Sequence, residues 1–173
     1  MQIVDRELWT VLHGMVFGTI FLLAFAGGLA GLWSLRPGLI TLEGIRDRLL
    51  RLRVGLVTMA VVAWVTVLSG NYIVYPWYRA SDPSSARSRL LANPNTALWH
   101  QFGMEWKEHV AWVAPILATA VAFIAIYYGP RLVGDRRLRY LTIALFVVAF
   151  AAAAIAGLLG AFLNKAAPIG PTG

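Results

Sequence analysis

The sequence predicts an all-α integral membrane protein, a four-transmembrane-helix bundle with both termini outside. Three observations carry this. Of 173 residues, 59% are hydrophobic and 13% charged, whereas a soluble domain is nearer half apolar and a quarter charged. The apolar residues gather into four segments, 8–35, 54–75, 110–128 and 138–163, each about as long as the ~20 residues a helix needs to cross a bilayer. The basic residues crowd the first and third connections between these segments. Backbone groups in lipid must satisfy one another, so a helix is the expected form of each segment. Residues 1–173 are expected to form a single membrane domain.

The first segment follows "MQIVDRELW", which lacks the basic start of a signal peptide, and the apolar run behind it is too long for one. It is expected to be retained as a span. Its histidine, His13, shares a helical face with Trp9, Phe17, Ile20, Ala24, Gly27, Gly28 and Gly31. Small residues at such spacings let helix backbones approach closely, so this face is expected to look into the bundle. The first connection, 36–53, has five arginines against Glu43 and Asp47. The third, 129–139, has four against Asp135. Short basic connections stay in the cytoplasm, which puts both termini and the long second connection outside. The net charge of +7 needs anionic lipid headgroups and no nucleic acid, because these arginines border spans.

The second segment exits through "SGNYIVYPWYR" into the outer connection, 76–109. Tyr75, Trp77 and Tyr78 suit the interfacial belt, and Asp82-Pro83 and Asn93-Pro94 are turn signals. A short helix is expected from about residue 97, capped by Asn95 or Thr96. The connection runs into "WHQFGMEWKEHVAW", which holds His100 and His109. At about 100° per residue, Leu98, Phe102, Glu105, His109, Trp112 and Val113 share one face. His100, Met104, Lys107 and Glu108 fall on the other, with Gly103 as the place where the helix could break. The fourth segment exits through Asn164 and Lys165. Ionisable chemistry is thus expected at the outer end of the bundle.

The chain has no cysteine, so disulfides, thiolate metal sites, iron–sulfur clusters and covalent c-type haem are excluded. Walker, GxSxG and GxGxxG motifs are absent, which removes the common soluble-enzyme signatures. What remains is the chemistry of the histidines. His13 and His109 begin parallel spans at comparable depth, which suits one b-type haem with His13 and His109 on its iron. Glu105 would accept the other imidazole N–H of His109, and Trp106 and Trp112 would wall the ring. His100 would replace His109 if the chain bends at Gly103. Read without haem, the same residues suit a quinone site. His13 or His109 accepts a proton from a quinol, Glu105 or Glu108 passes it outward, and Trp106, Trp112, Tyr72 and Phe102 sandwich the ring. An outer-leaflet copper or zinc site drawn from His100, Glu105, Glu108, His109, Met15 and Met104 is a third reading. A cofactor-free structural or assembly subunit is the fourth, since aromatic residues at span ends are ordinarily interfacial anchors.

The four spans with His13 and His109 resemble the small four-helix membrane cytochrome b anchors of respiratory enzymes, such as those of formate and succinate dehydrogenases. The resemblance implies haem b and electron transfer between quinone and other subunits of a membrane complex. It also implies a multi-pass subunit, non-catalytic alone, in the inner (cytoplasmic) membrane of a bacterium.

Overall fold

Each apolar segment becomes a helix, and each helix is longer than its apolar run. In the computed structural model, which describes residues 5–39, 41 and 44–168, helix α1 spans Asp5–Ser34, α2 spans Gly44–Tyr78, α4 spans Pro94–Tyr127 and α6 spans Arg136–Ala166. Short helices α3, Ala86–Ala92, and α5, Arg131–Gly134, lie between them. No strand occurs among the described residues. The four long helices are long and apolar enough to cross a membrane.

The extra length has local causes. The start of α2, "GIRDRLLRLR", is amphipathic: Leu49 and Leu52 are buried while Arg46, Asp47, Arg48 and Arg51 are exposed. Helix α4 begins at Pro94 because the Asn93 side chain accepts from the backbone N–H of Asn95 at 2.9 Å. Proline at the first helical position costs no hydrogen bond there. The cap is therefore Asn93, ahead of the Asn95 or Thr96 expected from the sequence, and the long second connection shortens to residues 79–93. Helix α6 is capped by Asp135, whose carboxylate accepts from Leu138 N–H at 3.0 Å.

The bundle is held by narrow stripes of small and aliphatic residues. In α4 the buried set includes Ala114, Pro115, Ala118, Val121, Ala122 and Ala125. In α6 it includes Thr142, Phe146, Ala149, Ala152 and Ala156. Lipid gives helices no hydrophobic reason to associate, so close packing across small residues supplies the attraction. Helix α1 packs on α2, α2 on α4 and α4 on α6. The ring closes where α6 meets α1. There Phe25 stacks on Phe150 with centroids 3.9 Å apart, and the Phe146 ring lies over Gly28. That closure is confined to one half of the bundle.

An even number of spans brings the two described ends of the chain together, here called the terminal end, and the arginine-rich connections form the basic end. At the basic end, Arg139 is 6% exposed and its Nη1 donates to the carbonyls of Leu35, Leu132 and Val133 at 2.8, 2.8 and 3.0 Å. Arg53 donates to the carbonyls of Ala125 and Ile126 at the end of α4. Both guanidinium groups satisfy carbonyls that a helix end leaves without partners.

At the terminal end, residues 79–93 fold over the helix ends as a cap. Asp82 accepts from Ser84 N–H at 2.6 Å, and the Ser84 backbone and hydroxyl hold its carboxyl below the usual carboxylate range. Ser85 caps α3 by accepting from Ser88 N–H. Ala86 and Leu90 are buried with Tyr78, Met104, Leu163 and Ala167 in a second small core. Arg89 donates to the Pro168 carbonyl, tying this cap to the end of the described chain.

Candidate functional site

Three of the long helices widen into a single π turn, and all three turns lie toward the terminal end. They span Leu12–Val16 in α1, Gly70–Val74 in α2 and Trp99–Met104 in α4. A π turn inserts one residue into the α-helical register and is frequent at functional sites. Each turn here carries a polar residue: His13, Asn71 and His100.

Between the helices at this level lies a cavity of about 700 Å³, within the usual size of small-molecule sites. Its floor is the stacked pair Phe21 and Phe150, with centroids 6.3 Å apart. Its wall toward α1 and α6 is nearly bare, with Gly14, Gly18, Gly157 and Gly160 among the lining residues. Gly14, Gly18 and Gly157 face open space. The polar lining includes His13, Thr66, Asn71, Tyr75, Lys107 and Glu108, with Thr10, Tyr78 and Asn164 beside them. The site is therefore an apolar slot with a polar rim at one end.

His13 is the polar group best fixed by its surroundings. Its Nδ1 lies 3.2 Å from Ser69 Oγ. The Cε1 edge of its ring meets Gly70, where an added Cβ would come within 2.6 Å of Cε1. Lys107 reaches from α4 toward α6 with its stem against Gly160. Glu108 lies 3.6 Å from Arg79 and sits beside the Tyr75 hydroxyl.

His100 belongs to the cap. It is 6% exposed. Arg87 Nε donates to its Nε2 at 3.3 Å, and its Nδ1 lies 2.9 Å from Tyr78 Oη. Arginine can only donate, so Nε2 is the acceptor, the proton is on Nδ1, and Nδ1–H donates to Tyr78. Both ring nitrogens are engaged. Arg79 donates to Glu105 at 2.6 Å and also lies 3.6 Å from Glu108, which links the cap to the rim of the cavity.

His109 lies elsewhere. It is exposed on the outward face of α4, with Phe102 58%, Trp106 50% and Ile116 55% exposed along the same face. Its Nδ1 bonds the Glu105 backbone carbonyl at 2.7 Å, while the Glu105 carboxylate serves Arg79. Trp106 stacks on Phe102 away from the cavity. Tyr72 is 71% exposed. Trp112 does line the cavity, edge-on to Trp64. The structure thus brings His13 and Trp112 to one site and leaves His109, His100, Glu105, Trp106 and Tyr72 outside it. A bis-histidine haem needs two imidazoles facing a common gap. His13 and His109 do not, and both nitrogens of His100 are in use, so the residues as they stand do not fit that group within one chain. Among the described residues, no group of three or more His, Asp or Glu could hold a metal ion.

The sequence reading did not assign Ser69 to His13, nor Tyr78 and Arg87 to His100. Ser69 had a usable signal, since it opens the consecutive run Ser69-Gly70-Asn71 within an apolar span. No family model matches the chain, and neither a curated protein nor a solved structure matches it.

Proposed function

We propose that this protein binds a quinone-class ring lipid in the membrane, with the cavity at the terminal end as its site. The carrying observation is the cavity itself: an apolar slot of about 700 Å³ ending in His13, Tyr75, Lys107 and Glu108. Such a lipid has an apolar body and a ring with two oxygens. The slot suits the first, and the histidine, tyrosine and lysine suit the second. The bare wall of glycines offers a side entry from the bilayer. Electrons would be exchanged with other subunits of a membrane complex.

Calorimetric titration of the detergent-purified protein with a short-chain benzoquinone tests the reading. Saturable binding is expected, together with at least a ten-fold loss in Gly157→Phe. A side chain at Gly157 meets nothing within 4 Å, so phenylalanine fills the slot without breaking the bundle. Absence of saturable binding, or an unchanged affinity in Gly157→Phe, would remove the proposal. A reduced-minus-oxidised visible spectrum of the same preparation separates it from the haem reading. A b-type signal lost in both His13→Ala and His109→Ala would put haem in its place.

The arginine-rich connections favour an orientation with the basic end in the cytoplasm. The cavity and both termini then face outward, in the cytoplasmic membrane of a bacterium. A C-terminal tag on intact spheroplasts is expected to be cut by added protease, and a tag inserted between Pro130 and Arg136 is expected to be protected. The reverse pattern would invert the assignment.

A further inference from the structure

Resting on the quinone-class reading, we infer that the cavity selects the reduced, hydroxyl-bearing form of its ligand, and that Ser69 enforces this by fixing which nitrogen of His13 carries the proton. The inference starts from one hydroxyl. Ser69 Oγ donates to the Thr66 carbonyl, one turn back in α2, at 3.1 Å. A serine hydroxyl has a single proton. With that proton on Thr66, the oxygen faces His13 as an acceptor, and at 3.2 Å the bond is made by His13 Nδ1–H. The Thr66 carbonyl, which can only accept, borders the same imidazole. A neutral imidazole has one N–H, so Nε2 keeps its lone pair.

The ring cannot easily turn over to change this. It rests on Gly70, whose missing Cβ leaves the space the ring fills; an added Cβ would lie 2.6 Å from Cε1 and 3.3 Å from Nε2. The π turn that begins at Gly70 places this bare stretch of α2 against α1.

Lys107 supplies the opposite polarity. It lines the same cavity and is the charged neighbour that acts on His13. Its ammonium can only donate, and its stem is braced on Gly160, where a Cβ would lie 3.2 Å from Cε. Beside Glu108, whose Oε1 is buried without a hydrogen-bond partner and can also accept, the cavity therefore offers an acceptor in His13 Nε2 and a donor in Lys107. A hydroquinone answers both: one hydroxyl donates to Nε2 and the other oxygen accepts from Lys107. A quinone has only acceptor oxygens. It can take the lysine but leaves the Nε2 lone pair unmet beneath an apolar ring, and a desolvated group without a partner is costly. Selection here is a matter of binding alone and requires no electron transfer.

The test compares dissociation constants for a short-chain ubiquinone and its hydroquinone, under anaerobic conditions, on the full-length protein in nanodiscs. The wild type is expected to hold the hydroquinone roughly ten-fold or more tightly. In Ser69→Ala the imidazole is free to carry its proton on either nitrogen, and the preference is expected to shrink to within about three-fold. Ser69→Thr, which keeps the hydroxyl, should restore it. Lys107→Met should weaken both forms and leave their ratio. If neither form binds the wild type, the quinone-class reading itself is lost. If both bind equally, that reading stands and the selectivity inference is overturned. If the ratio survives Ser69→Ala, the role of Ser69 is overturned. Should Ser69→Ala fail to fold, the nitrogen-15 spectrum of histidine-labelled wild type decides, with His13 assigned by its loss in His13→Gln. A protonated Nδ1 supports the inference, and a protonated Nε2 sinks it.

Discussion

Gly28→Leu is expected to open the bundle where α1 meets α6. A Cβ built on Gly28 falls 2.7 Å from Phe146 Cζ, 3.0 Å from Phe146 Cε1 and 3.1 Å from Leu56 Cδ2. Carbon atoms cannot share that space, and leucine adds three more carbons beyond the first. Phe146 cannot retreat easily. It is 0% exposed and is hemmed by Phe25 at 5.1 Å between centroids. Overpacking a tight core commonly costs about 1–3 kcal/mol, and a clash of this depth belongs at the top of that range or above it. The thermal midpoint in detergent should fall by several degrees or the protein should fail to insert. Gly27→Leu is the control. Its Cβ meets nothing within 4 Å and the position is exposed, so its midpoint should match that of the wild type. Equal midpoints for both variants would mean that α1 and α6 do not close as described.

The pair Gly27 and Gly28 also shows how far the sequence could be read. Four helices were legible because apolar runs of span length have few other uses. The interior face of α1 was legible only in part. A straight count from His13 puts Ile20, Gly27 and Gly28 inside; Gly28 is buried, but Ile20 and Gly27 are exposed, and Phe21, which the count leaves out, is buried. The π turn at Leu12–Val16 adds one residue to the register, and everything after it moves round by one position. Nothing in "LHGMV" announces that turn.

For α4 the sequence sorted most residues into their two faces, misplacing Trp112, which lines the cavity with Lys107 and Glu108, and gave no sign of which face looks inward. Leu98, Phe102, His109 and Val113 share the outer face, whereas His100 and Met104 are buried and Lys107 and Glu108 line the cavity. The aromatic face is the outward one. In water an aromatic face seeks the interior. In a bilayer the surroundings are themselves apolar, so polar and ionisable residues are the ones driven inward. The tie between His13 and Ser69 joins residues 56 apart in the chain and leaves no periodic trace. Only folding brings the two together.

The second large effect is expected at Arg139. It sits one turn into α6, where the sequence shows merely the last of a basic cluster, "GDRRLR". In the structure it points inward and is 6% exposed. Its Nη1 donates to the last turn of α1 at Leu35 and to α5 at Leu132 and Val133, and Leu35 and Leu132 are themselves 0% exposed. Three carbonyls, those of Leu35 and Leu132 buried and that of Val133 part-buried, thus depend on one guanidinium group. Arg139→Met keeps much of the side chain's length and apolar bulk but removes every donor. Hydrogen bonds to a charged group are each worth about 1.5–3 kcal/mol, and an acceptor left buried and unpaired carries its own penalty. A loss on the order of 3–5 kcal/mol is expected, visible as a large fall in the thermal midpoint. Arg139→Lys should recover only part of it, because a single ammonium cannot reproduce the planar reach of the guanidinium. Arg137→Met, two residues earlier and exposed, should change the midpoint by little. The contrast matters because both substitutions remove one positive charge from the same connection. If stability followed net charge at the basic end, the two variants would lose equally. If it follows the carbonyl contacts, only Arg139→Met melts early, and basic residues of this connection then divide between holding the fold and meeting the lipid headgroups.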